Sequence, residues 1–108
     1  MPNTPITIMS ALTTGNSAAY EFNGGETRGG ATGSTIQTVA VYGTWDSATA
    51  THQMSPDGGT TWIDIDTTTA QATANKVYNI EARSGATYRI SISNVGSTGT
   101  ALTAKAFV

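Results

Sequence analysis

The chain of 108 residues contains no cysteine, which excludes a disulfide scaffold and a thiolate zinc site while saying nothing about compartment. It has one histidine, His52, so no metal site built on several imidazoles can form. Charge is equally scarce. Asp, Glu, Lys and Arg make up 11% of the residues, where about a quarter is ordinary. The five cations, Arg28, Lys76, Arg83, Arg89 and Lys105, are spread along a chain of net charge −2 and form no footprint for a phosphate backbone. We therefore expect no nucleic-acid partner. The longest unbroken apolar run, Val39-Ala40-Val41-Tyr42, is far too short to cross a membrane as a helix, so no membrane partner is expected either. The opening Met1-Pro2-Asn3-Thr4-Pro5 has neither a basic n-region nor a following hydrophobic segment, and the chain is expected to act without secretion.

Thr, Ser, Asn, Gly and Ala take the place of the missing charges. A neutral, hydroxyl-rich surface carries little repulsion between copies and tolerates dense packing in an assembly. Helical periodicity is absent, while alternation with period two and β-branched residues recur throughout. The segments Ile6–Leu12, Ala18–Phe22, Ile36–Tyr42, Ala48–Met54, Thr61–Ile65, Lys76–Ala82, Thr87–Asn94 and Ala101–Val108 read as strands. Between them lie turn signals: Asp46-Ser47, Ser84-Gly85 and Gly96-Ser97-Thr98-Gly99. The fold class expected is all-β, an antiparallel β-sandwich of about eight strands; a jelly roll is one such arrangement, and the strand order is open. Residues 1–17 form an extended N-terminal arm and first strand, and 18–108 the sandwich, as one domain. Ile36–Tyr42, Tyr78, Ile80, Tyr88, Ile90, Ile92 and Leu102 are expected to supply most of the core. Ala48–Met54 has no strongly apolar face, which suits a sheet edge or a subunit contact.

Groups capable of chemistry are few and scattered. His52 sits among strand threonines with no nucleophile or orienting acid placed beside it, and no serine lies in a Gly-x-Ser-x-Gly elbow. No catalytic residue, cofactor-binding residue, metal ligand or cofactor is assigned, and the chain is read as not an enzyme. Asp57, Asp64 and Asp66 offer oxygens that calcium accepts, but the spacing fits no EF-hand; Asp57 is expected to cap a turn and the other two to face solvent. Gly24 to Gly29 has Gly30-Ala31 where a phosphate-binding loop needs Lys-Ser/Thr. Tyr42, Trp45, Trp62 and Tyr78 could stack on sugar rings if exposed on one face, although such residues more often fill cores.

The most specific stretch is Ser55-Pro56-Asp57-Gly58-Gly59-Thr60-Thr61-Trp62, which fills every fixed position of the pattern Ser-x-Asp-x-Gly-x-Thr-Trp. It resembles the Asp box repeated around the propellers of sialidases. One copy cannot build a propeller. We read it as a structural hairpin in which Ser55, Asp57, Gly59, Thr61 and Trp62 organise the turn and the indole of Trp62 pins it to the core.

Together with Gly43-Thr44-Trp45, the strand Ala48–Met54, Tyr88-Arg89-Ile90-Ser91-Ile92-Ser93-Asn94 and the closing Leu102-Thr103-Ala104-Lys105-Ala106-Phe107, this stretch resembles small β-sandwich virion proteins of tailed bacteriophages, some of which decorate or cement capsids. The likeness runs from Ile36 to Val108. It implies a structural virion component: a capsid decoration or cement subunit, made in the host cytoplasm, that binds the major capsid protein and associates with itself, a trimer being the first expectation from shell symmetry. Contacts are expected from Pro2, Thr4 and Pro5 in the arm and from Glu26 and Arg28 in the glycine-rich loop. The alternative is a glycan-binding or tail-fibre-associated sandwich.

Overall fold

The computed structural model describes residues 6–21, 34–83, 86–96 and 99–107, and within them the chain is all-β. Ten antiparallel strands form two sheets: β1 Ile6–Leu12, β2 Gly15–Asn16, β3 Tyr20–Glu21, β4 Ser34–Thr44, β5 Thr49–Ser55, β6 Ile63–Asp64, β7 Gln71–Ala72, β8 Lys76–Arg83, β9 Thr87–Ser93 and β10 Ala101–Phe107. The first sheet has the order β1-β10-β4-β8. In the second, β9 and β5 lie at the centre; β2 and β3 pair with β9 along one edge, and β6 and β7 pair with β5 along the other. Counting each broken edge as one strand gives the orders 1-8-3-6 and 2-7-4-5, which is jelly-roll connectivity. The expected sandwich is thus observed, with two strand fragments, β2 and β7, beyond the eight.

Period-two alternation decides which side chains fill the space between the sheets. Val39 and Val41 of β4, Tyr78 and Ile80 of β8, Tyr88, Ile90 and Ile92 of β9, and Leu102, Ala104 and Ala106 of β10 are all buried. Two members of the expected core are not. Ile36 and Tyr42 are 56% and 39% exposed, because the face of β4 that meets the second sheet carries Gln37, Val39 and Val41. The larger apolar residues of this strand therefore point outward, and a glutamine points in.

β5 also departs from expectation. It is paired on both sides, with β9 along its whole length, and Ala50 and His52 are buried. Its inward face, continued back to Ala48, offers two small alanines and a histidine, which is why it looked too weakly apolar in sequence. The chain passes from β4 into β5, and so from one sheet to the other, through a four-residue turn closed by Ala48 N–H on Trp45 O at 2.8 Å. Asp46 and Ser47 take positive φ there, 43° and 70°. The Asp46 carboxylate accepts from Gly99 N–H at 3.1 Å, tying this turn to the one before β10.

Candidate functional site

The stretch from Ser55 to Trp62 links β5 to β6, which pair in register at Gln53–Asp64 and Met54–Ile63, so it is a hairpin connection. Ser55 is fully buried at its base. The Ser55 Oγ donates to Asp57 Oδ1 at 2.8 Å and accepts from Gly59 N–H at 2.8 Å. Asp57 Oδ1 in turn accepts from the N–H groups of Thr60 and Thr61, at 3.1 and 2.7 Å. These donors, Thr61 N–H foremost, hold the Asp57 carboxyl down to about 2. Gly58 and Gly59 supply φ values of 74° and 106°. All the carboxylate's partners belong to its own loop. Thus Ser55, Asp57, Gly59 and Thr61 come together as a turn.

Trp62 behaves differently from expectation. It is half-buried and folds back on its own loop, Nε1–H donating to Gly59 O at 3.1 Å, with the Arg89 guanidinium 4.3 Å above its ring. It is not part of the core cluster, because it shares the phase of Asp64, which register sets beside Gln53 on the outer face, while Ile65 packs against the core. Arg89 Nε–H also donates to Gln53 Oε1, and Gln53 Nε2–H to Asp64 Oδ1, both at 2.8 Å. A polar ladder thus crosses the outer face of the second sheet from β9 to β6. Asp66 caps the next turn by accepting from Thr68 and Thr69 N–H, which lowers its pKa. The three aspartates serve separate turns and pairs, and among the described residues no group of three metal-ligating side chains occurs.

His52, expected in the company of strand threonines, lies in the core against two tyrosines. Its Nδ1 is 2.7 Å from Tyr78 Oη and its Nε2 is 2.8 Å from Tyr20 Oη, and Tyr20 O–H donates to Gln37 Oε1 at 2.6 Å. Because the Tyr20 proton goes to Gln37, the Tyr20 oxygen accepts from Nε2–H and Nδ1 accepts from Tyr78 O–H. Hydrogen bonds then run one way, Tyr78 to His52 to Tyr20 to Gln37. Burial drives the imidazole pKa down to about 3, so the ring is neutral, and it pushes both phenols above their ordinary value. Tyr88 packs edge-on against His52 and tilted against Tyr20. Gln37 Nε2 has no partner among the described residues. The cluster lies between the sheets and ties them together, with His52 and Gln37 fully buried and Tyr20 half-buried.

Sequence reasoning missed this cluster, although one signal pointed to it. His52 shares the phase of Ala48 and Ala50, and Gln37 that of Val39 and Val41. It also missed the outer face of the first sheet, where Ile36 and Tyr42 of β4, Val77 of β8 and Phe107 of β10 are exposed together; Val77 is 65% exposed. Register sets Val77 beside Ala40 and Phe107 beside Thr38, so these residues share one surface, on which Glu81 and Lys105 are the charged side chains among those described. Trp45 is half-buried against the core, its Nε1–H donating to Asn75 Oδ1 at 2.9 Å. Pro2, Thr4, Pro5, Glu26 and Arg28 lie outside the described residues.

Comparison with protein-family models, with curated proteins and with solved structures finds no match to this chain.

Proposed function

We propose that this protein is a non-enzymatic structural subunit that seats on a larger protein assembly, and specifically a capsid decoration or cement protein of a tailed bacteriophage. One observation carries the reading: the two outer faces of the sandwich are unequal. The second sheet is covered by the ladder Arg89–Gln53–Asp64 and by hydroxyl and amide pairs such as Gln71–Thr51, whereas the first sheet exposes Ile36, Tyr42, Val77 and Phe107. An apolar sheet face with few charges is a surface made to be covered by protein. Jelly rolls serve both viral shells and carbohydrate-binding proteins, so connectivity alone does not choose between them. The indoles favour the shell: the Trp62 ring is occupied by Arg89, and Trp45 packs on the core. The test is co-sedimentation of the purified chain with bare capsids from its own phage. Saturable binding at a fixed number of copies per shell supports the proposal, and purified particles that lack the protein and capsids that do not take it up would defeat it.

A further inference from the structure

We infer that two copies of this chain join along β8, extending the first sheet into a continuous eight-stranded one. A sheet edge offers unpaired backbone groups to any strand of suitable register, and folds usually blunt it. Three of the four edges here are blunted. β1 is interrupted by register shifts between Thr7 and Met9 and again between Met9 and Leu12, with Ala11 at φ 50°. Both edges of the second sheet are cut into two-residue pieces, β2 with β3 and β6 with β7. β8 alone is long and regular. Its eight residues pair with β4 without a break from Lys76–Val41 to Arg83–Ser34, and among the described residues no strand pairs with its far edge.

The occupant is read from the strand itself. Strand addition is satisfied by any extended backbone, but only a second β8 arrives with matching length, matching alternation and a two-fold axis that closes the contact. Placing the axis at Asn79 sets Val77 opposite Glu81 and Tyr78 opposite Ile80 of the second copy, so that no like charges face each other and inward apolar residues meet inward apolar residues. Moving the axis to Ile80 brings the two Glu81 residues diagonally together, and moving it to Tyr78 pairs a shorter stretch. Asn79 is exposed and its Oδ1 already accepts from Thr38 Oγ1 at 2.8 Å, so Nδ2–H is directed to donate across the axis to the second Asn79. Shell symmetry suggested a trimer; the edge specifies a dimer. The inference stands apart from the virion reading, since it concerns the isolated chain in solution.

Cysteine cross-linking tests both the pairing and its register, because the native chain has no cysteine to interfere. Residues facing each other in an antiparallel pair have Cα atoms about 4.5–5.5 Å apart, within disulfide reach. Asn79→Cys should therefore link to itself under mild oxidation. Val77→Cys should link to itself at least tenfold more slowly, its symmetry mate lying roughly 14 Å away, yet link rapidly when mixed with Glu81→Cys. One-strand interfaces are small, so sedimentation of the unmodified chain should show dimers at ~100 µM that dissociate on dilution. Asn79→Lys, with like charges set on the axis, should weaken the dimer by about tenfold or more without altering the far-ultraviolet circular dichroism. A chain that stays monomeric at that concentration, a trimer, or Val77→Cys linking as fast as Asn79→Cys would each overturn the inference.

Discussion

Burying an imidazole between two sheets is tolerable only if both ring nitrogens find partners, and the tyrosines on either side of His52 supply them. The depressed pKa then becomes a stability term. The unfolded chain binds a proton at His52 near the ordinary 6.5, the folded chain only near 3, so between these values the unfolded state holds more protons. Stability contributed by the neutral ring is complete above about pH 6.5 and is lost as pH falls, by about 1.4 kcal/mol per unit. The Asp57 carboxyl has the same sign but a lower window, from its ordinary 3.8 to about 2. Denaturant melts should therefore show stability falling between about pH 6.5 and 4.5, and His52→Gln should flatten that slope. An unchanged slope in the variant would count against the buried neutral ring. Tyr20→Phe leaves Gln37 Oε1 and His52 Nε2–H unpaired and should cost about 1–3 kcal/mol. Gln37→Leu, by contrast, should change stability by less than about 1 kcal/mol. It removes an Nε2 that has no partner among the described residues, and the chain of hydrogen bonds can reverse, with Tyr20 donating to His52 Nε2 and His52 Nδ1–H to Tyr78. Chemical denaturation of both variants separates the two outcomes.

Among the elements, the hairpin was the most legible from sequence. Ser55, Asp57 and the two glycines act within eight residues, and local hydrogen bonding fixes such a turn whatever surrounds it. Ser55→Ala removes a buried hydroxyl that serves both Asp57 and Gly59, and should cost about 1–3 kcal/mol by thermal or chemical melting, with the rest of the sandwich intact. Strand positions were legible for the same local reason, since alternation survives in single segments such as Tyr88-Ile90-Ile92. The direction a strand faces was not always so. On β4 both faces carry apolar residues, and only pairing with β8 and the Gln37–Tyr20 bond decide that Val39 and Val41 turn inward. The environment of Trp62 was hidden as well, because Arg89 lies 27 positions further along and meets the indole only once β9 and β5 are paired. Gly43 shows the same dependence. It takes φ 138° where β4 crosses Leu102 of β10, and a side-chain carbon there would collide with the Ala101 carbonyl oxygen. Gly43→Ala should therefore lower stability by about 1–3 kcal/mol or more, measured as a reduced melting temperature.

At the scale of the whole molecule, the long regular edge of β8 and the apolar outer face belong to the same sheet, and each makes the other more effective. Two copies joined at β8 present their exposed apolar residues side by side on one broad surface, and a repeated, linked contact binds more tightly than a single one. The two features can be separated experimentally. Ile36 and Phe107 lie on β4 and β10, away from the free edge of β8, and both are substantially exposed, so replacing the two together with serine should shift stability by less than about 0.5 kcal/mol each. Dimerisation should persist, because the paired residues of β8 are untouched. Attachment to a capsid lattice should weaken by about tenfold or more, since the variant offers hydroxyls where the covered surface needs apolar contact. A double variant that folds, dimerises and still decorates bare capsids at full occupancy and undiminished affinity would show that this face is not the one the assembly covers.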